Sequence, residues 1–131
     1  APDIWVHLRP TTPFRKLELI DKAIQLFLDD SFSTSMRSVH EAPETPWKFF
    51  RNNEGYAIPI CDHLTLDEIN TPRQAFPKVY VPNGYVDLIR SKNIFSDSIH
   101  GNHIRMLETP FTPEVDTLAD LKFLEYLSLS R

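Results

Sequence analysis

The stretch IWVHLRPTTPFR, residues 4–15, decides the fold class. Its first five residues are almost wholly apolar, which is typical of a strand covered on both faces in a parallel sheet. A turn with two prolines follows, flanked by Arg9 and Arg15. A plain turn needs no guanidinium. The two arginines therefore indicate either an anionic ligand above the sheet or a structural salt bridge.

Helix and strand patterns alternate along the rest of the chain. Residues 15–30 have helical spacing, with an apolar stripe of Ile20, Ala23, Ile24, Phe27 and Leu28. The last helix is expected after Thr117, because Thr117 and Asp120 have the spacing of a capping box. Its apolar positions include Leu118, Leu121, Leu124 and Leu127. Together these patterns predict a mixed α/β domain.

The remaining segments read as strands and turns. Extended runs are predicted at residues 33–39, at 103–108 and at 79–90, the last broken in two at Pro-Asn-Gly. Proline-rich residues 41–60 favour a hairpin around Asn-Asn-Glu-Gly, and residues 61–78 look irregular. We expect one domain over residues 1–131.

Composition excludes several classes of function. The net charge is −4, without a run of like charges, which argues against nucleic acid or an anionic membrane as the main partner. No apolar stretch approaches the ~20 residues of a membrane span. The single Cys61 leaves no internal disulfide and no cysteine zinc site, so we expect a cytoplasmic protein. The three glycines are too scattered to form a phosphate-cradling loop.

The first strand bears on whether the sequence contains the whole domain. A strand as apolar as residues 3–8 needs sheet neighbours and helices on both faces. The chain begins only two residues before this strand. We therefore expect that an N-terminal portion of the domain is missing from this sequence.

Four motifs resemble those of one enzyme family. They are L-R-P-T-T-P-F-R (8–15), P-R-Q-A-F-P (72–77), V-P-N-G-Y-V-D-L (81–88) and E-V-D-T-L-A-D-L (114–121). In this order they resemble the motifs of the sugar-acid cytidylyltransferases, the CMP-sialic acid synthetase family. The resemblance covers essentially the whole chain, except that the family's N-terminal nucleotide loop has no counterpart here.

The resemblance implies a fold and a reaction. The fold would be a nucleotide-diphospho-sugar transferase-like (Rossmann-like) mixed sheet, with residues 41–60 as a protruding dimerisation segment. The reaction would join CTP to a 2-keto sugar acid with Mg²⁺, releasing pyrophosphate, in a homodimer. The alternative is a non-catalytic dimerisation and sugar-binding fragment of such an enzyme.

The resemblance also implies site residues. Arg9, Lys48 and Arg73 would act on the sugar acid, with Lys48 supplied by the dimer partner. The other expected substrate-binding positions are Thr11, Thr12, Asn83 and Asp87. Asp87 stands where the family has an aromatic residue, which suggests a sugar acid other than sialic acid. Glu114 and Asp116 align with the family's metal-binding acids.

Four of these roles have a structural alternative. Lys48 could be a solvated hairpin lysine, and Arg73 could form a structural ion pair. Turn chemistry alone would explain Asn83 next to Gly84. Asp116 before Thr117 fits ordinary helix capping. Arg15 is expected to tie down its loop through backbone carbonyls, which leaves Arg9 for the ligand.

Overall fold

The computed structural model describes residues 2–130, which form two compact units. Residues 2–40 and 82–130 make the first unit, and residues 41–81 make the second. The elements in chain order are β1 (Ile4–His7), α1 (Leu17–Asp29), β2 (Ser35–Glu41), β3 (Phe50–Asn53), β4 (Tyr56–Pro59), α2 (Leu66–Ile69), β5 (Tyr80–Arg90), β6 (Ile104–Glu108) and α3 (Leu118–Leu129).

A four-stranded mixed sheet organises the first unit, in the order β1-β5-β2-β6. Strand β1 runs antiparallel to β5 with His7 opposite Asp87, and β2 runs parallel to β6. This agrees with the predicted mixed α/β class. The parallel pairing predicted for β1 is wrong, because this strand pairs antiparallel with β5. Within residues 2–130 it is the edge strand of the sheet, and Trp5 keeps 50% of its surface exposed. An apolar run indicates that a strand favours burial, but it does not determine which strands pair with it.

The core of the first unit lies between α1 and the sheet. Ala23 and Phe27 of α1 are fully buried, while Ile20 and Ile24 pack at the margin of the cluster. The sheet contributes Met36, Tyr85, Val86, Leu88 and Leu107. Leu28, predicted on the buried stripe, is 53% exposed, because the stripe centres on Ala23 and Phe27, one helical turn apart.

Strand β5 corrects a second prediction. Residues 79–90 do not divide at Pro-Asn-Gly, since a single strand of 11 residues runs through Gly84. Gly84 has φ +67°, which glycine adopts without strain. A Cβ there would lie 2.8 Å from Cδ of Arg9. The glycine therefore allows the Arg9 side chain to approach the strand closely, and it makes no sharp turn.

The second unit contains the predicted hairpin. Strands β3 and β4 pair antiparallel through Glu54 and Gly55, whose φ angles are 52° and 92°. Two positive φ values match the primed turn that suits a two-residue hairpin. Phe50 and Tyr56 of the hairpin are exposed. The segment predicted as irregular includes the four-residue helix α2, which begins with a capping box of Thr65 and Glu68.

Helix α3 starts where the sequence predicts. Thr117 is the N-cap, and its hydroxyl and the Asp120 carboxylate form the reciprocal capping box. Of the predicted apolar positions, Leu124 is buried, whereas Leu118 and Leu121 are exposed. None of the helices in residues 2–130 has the length and apolarity to cross a membrane.

Candidate functional site: a buried carboxylate between two arginines

Asp87 is the centre of a charged cluster in the first unit. Its side chain is 3% exposed, and its two oxygens accept from different arginines. Arg9 contacts Oδ2 through a terminal nitrogen at 3.3 Å, and Nε of Arg37 contacts Oδ1 at 3.3 Å. His7 lies 3.9 Å from Oδ2. The cluster therefore joins three neighbouring strands, β1, β5 and β2.

Arg37 is the residue that sequence reasoning missed. It lies in β2 among mostly buried neighbours, and its own side chain is 25% exposed. A charged residue inside a strand whose other residues are mostly buried is a signal for a buried partner, since an unpaired buried charge is very costly. Its partner is 50 residues away, beyond the reach of any local pattern.

Arg15 has the structural role expected for it. Its guanidinium donates to the carbonyl oxygens of Tyr85 at 2.7 Å, of Gly84 at 3.4 Å, and of Arg9. Burial lowers the pKa of Arg15 below its ordinary value. Two of these contacts tie the loop after β1 to β5, and the third closes the loop on itself. The prediction that Arg15 fastens the loop is confirmed.

Thr12 and Asn83 join the same loop to β5. The buried Thr12 hydroxyl donates to the Asn83 carbonyl oxygen at 3.2 Å. The Asn83 amide oxygen accepts from Ser38 Oγ and Tyr85 N, and the amide nitrogen contacts Thr109 Oγ1 and His40 Nδ1. Protein groups thus occupy all four hydrogen-bonding positions of this amide. In this arrangement Asn83 supports the strands, and its role as a substrate ligand stays a prediction.

Glu114 and Asp116 lie on the segment before α3. The backbone N–H of Val115, between them, donates to the carbonyl oxygen of Thr11 at 2.9 Å. Neither carboxylate has a hydrogen bond or ion pair within residues 2–130. Asp116 is not the helix cap, because Thr117 fills that position. No group of three or more His, Cys, Asp or Glu side chains in the described part of the chain is placed to hold a metal ion.

Lys48 and Arg73 lie in the second unit. Lys48 Nζ donates to the carbonyl oxygen of Thr71 at 3.0 Å. Arg73 donates to the carbonyl oxygen of Ala42 at 2.8 Å and lies 3.8 Å from a Glu41 carboxylate oxygen. Lys78 is 3.5 Å from the other Glu41 oxygen.

Arg73 also lines a cavity of about 380 Å³ within this unit. Its walls include Glu41, Thr45, Gln74 and Lys78. The Thr45 hydroxyl is buried without a hydrogen-bond partner in residues 2–130. The cavity therefore presents charged side chains of both signs, with Arg73 and Lys78 next to Glu41.

The fold defines the class of this protein, and one solved structure is similar to it. The chain has a nucleotidyltransferase-like mixed α/β fold. It superposes with a TM-score of 0.63 on CMP:2-keto-3-deoxy-manno-octonic acid synthetase complexed with CTP, at 19% sequence identity. The match covers 98% of this chain and 62% of that chain. No protein-family model and no curated protein matches the sequence.

Proposed function

We propose that the chain belongs to a cytidylyltransferase that transfers CMP from CTP to a 2-keto sugar acid, with release of pyrophosphate. One observation carries this proposal: three of the four motifs are bonded to one another. Arg9 contacts Asp87, Thr12 donates to Asn83, and the Thr11 carbonyl accepts from Val115. These contacts bring residues separated by about 70 to 100 positions to one region of the first unit. The similar synthetase, which contains CTP, supports the same reaction class.

Arg9, Lys48 and Arg73 are the residues proposed to hold the sugar acid. A guanidinium can grip a carboxylate with two parallel N–H groups, and an ammonium supplies a compact point charge. Fixed in this way, the anomeric hydroxyl attacks the α-phosphorus of CTP in line. A new phosphorus–oxygen bond forms while the bond to pyrophosphate breaks, and the hydroxyl proton passes to solvent water. Positioning of the two reactants is the protein's main contribution to such a step.

Glu114 and Asp116 are the residues proposed to hold Mg²⁺. Carboxylate oxygens suit this hard cation, and both side chains are free of other partners in residues 2–130. Because no third protein ligand is grouped with them, water and phosphate oxygens would complete the coordination. Bound there, the cation would polarise the α-phosphate.

A nucleotide-binding segment outside these residues completes the proposal. The chain spans 62% of the length of the similar synthetase, and its three glycines form no phosphate loop. Within residues 2–130 the outer edge of β1 is unpaired, and this edge and the exposed Trp5 offer a place for a further strand. We therefore propose that CTP is held largely by such a segment, and that residues 1–131 alone do not turn over CTP.

A homodimer is proposed through the segment 41–60. Its hairpin exposes Phe50, Tyr56 and Ile58, which a lone hairpin cannot bury. Lys48 would then serve the partner's site. Sedimentation at micromolar concentration is expected to give a dimer that Phe50→Glu dissociates. A monomeric unmodified chain would contradict this part of the proposal. The cytoplasmic location stays a prediction.

Pyrophosphate release tests the function. CTP, Mg²⁺ and a panel of nonulosonic and ketodeoxy acids are supplied to residues 1–131 and to the whole reading frame that encodes them. We expect turnover only by the longer protein, and Asp116→Asn is expected to abolish it without changing the melting temperature. Failure of the longer protein with every acid would contradict the cytidylyltransferase assignment. Sugar-acid binding without turnover would instead support the non-catalytic fragment.

A further inference from the structure

The cluster around Asp87 carries more positive charge than it neutralises. One carboxylate faces two guanidiniums, Arg9 and Arg37. Both contacts measure 3.3 Å, longer than the roughly 2.7–2.9 Å of a strong charge-assisted bond. The Arg9 side chain is 39% exposed and that of Arg37 is 25% exposed. A net positive charge therefore remains within reach of solvent.

The hydrogen-bonding capacity of the two arginines is also largely unused. A guanidinium has five N–H donors. Within residues 2–130 the guanidinium groups of Arg9 and Arg37 each donate one hydrogen bond. Arg90, by contrast, lies over the Phe27 ring at 4.2 Å and donates to three carbonyl oxygens. Arg90 is thus committed to the fold, whereas Arg9 and Arg37 keep donors for a ligand.

We propose that Arg37 and Arg9 together form a carboxylate-binding site, and that Asp87 holds both guanidiniums in place. The inference rests on the proposed function and assigns to this site the carboxylate of the sugar acid. It adds Arg37 as a binding residue. Asp87 then acts as a positioning residue, because its carboxylate faces the two arginines instead of the substrate.

Charge favours a carboxylate over a triphosphate at this site. The cluster has an excess of one positive charge, which matches the single negative charge of a sugar acid. A triphosphate carries several negative charges, and the Asp87 carboxylate would repel it without further cations. Each arginine is bonded to a different oxygen of Asp87, so both lie close enough to share one small oxyanion.

The test is binding of 2-keto-3-deoxy-manno-octonic acid and N-acetylneuraminic acid to residues 1–131. Calorimetry gives affinity, and the Nε–Hε signals of arginine in nuclear magnetic resonance spectra report on the guanidiniums directly. For whichever acid binds more tightly, we expect Arg37→Gln to weaken binding about 10- to 100-fold, the loss of a charged hydrogen bond. Arg37→Lys should lose less, because it keeps the charge without the fork.

Arg105→Gln is the matched control. Arg105 belongs to the same unit and pairs with Asp30 at 3.0 Å on the surface, so its loss should change the affinity less than about twofold. If Arg37→Gln does not fold, movement of the Arg37 signal on adding the acid to the unmodified chain decides the matter. Inorganic pyrophosphate serves as the competing oxyanion and should bind more weakly.

Three results would overturn the inference. These are unchanged affinity in folded Arg37→Gln, no movement of the Arg9 and Arg37 signals with either acid, or tighter binding of pyrophosphate at these arginines. Failure of the proposed cytidylyltransferase function can be distinguished from failure of this binding site. CMP-sugar formation that does not need Arg37 would refute this site alone. Binding of the acid that depends on Arg37, without cytidylyl transfer by the longer protein, would refute the reaction alone.

Discussion

Replacing Asp87 by Asn is expected to destabilise the protein although the shape of the side chain is kept. The Asp87 side chain is 3% exposed and is the carboxylate shared by Arg9 and Arg37. Asn cannot offer a charge to either guanidinium, and its amide nitrogen would face one of them as a second donor. Two positive groups would then lie close together without a counter-ion.

The magnitude follows from the two contacts. At 3.3 Å and an effective dielectric constant of about 20, each ion pair has about 5 kcal/mol of Coulomb attraction. Desolvation of the buried carboxylate offsets much of this, and removing one partner of a buried pair typically costs about 3–5 kcal/mol. The arginines are 39% and 25% exposed and regain hydration, so we expect a loss of about 2 kcal/mol.

Thermal unfolding measures this loss. About 2 kcal/mol corresponds to roughly 6–10 °C in Tm for a chain of this size. Asp62→Asn is the control, because Asp62 pairs with Arg51 at the shorter distance of 2.9 Å but is 88% exposed. It should leave Tm within about 2 °C. If the two variants lose equal stability, or Asp87→Asn loses none, burial does not set the strength of these pairs.

Three further predictions concern Gly84 and the start of α3. Gly84→Ala should lower the free energy of unfolding by about 1–2 kcal/mol because of the positive φ. It should also displace the Arg9 side chain, whose Cδ would lie 2.8 Å from the new Cβ. Gly55→Ala is the control, because Gly55 has φ +92° and a Cβ there would have nothing within 4 Å, so this variant measures the cost of the positive φ alone. If the two variants lose equal free energy of unfolding, the contact between the new Cβ and Arg9 costs nothing. Thr117→Ala should cost about 1 kcal/mol in urea unfolding by removing the N-cap. Asp116→Asn should cost little, and the reverse order would place the cap at Asp116. Hydrogen bonds from the backbone N–H of Asp116 and from Thr117 lower the pKa of Asp120 below its ordinary value. Its stabilising effect is therefore present above the unfolded pKa and is lost as pH falls through the folded pKa. Carboxyl titration by nuclear magnetic resonance checks this, and an ordinary Asp120 pKa would refute it.

Local signals in the sequence predicted the elements that depend on near neighbours. Helix α3 begins after Thr117 because the capping box joins residues only three positions apart. The hairpin of β3 and β4 likewise follows from a two-residue turn at Glu54 and Gly55. Arg15 was placed correctly, since a cation in a tight loop naturally meets carbonyl oxygens.

The candidate site was predicted in part. The resemblance singled out Arg9 and Asp87 separately, but their contact joins residues 78 positions apart. The substrate-binding role of Asp87 stays a prediction, and in the folded protein its carboxylate faces two arginines. Nothing near Arg37 in sequence indicates its partner, because that partner comes from another strand.

The sequence by itself determined the local elements and the α/β class, since helix periodicity, capping and turn chemistry act over a few residues. Tertiary structure alone decided that β1 pairs antiparallel with β5, that β5 runs unbroken through Gly84, and that Arg37 meets Asp87. All three depend on which strands become neighbours. Distant segments compete for the hydrogen bonds and the buried surface of strand pairing. A strand's own residues indicate whether it can be buried, but they do not indicate which segment pairs with it.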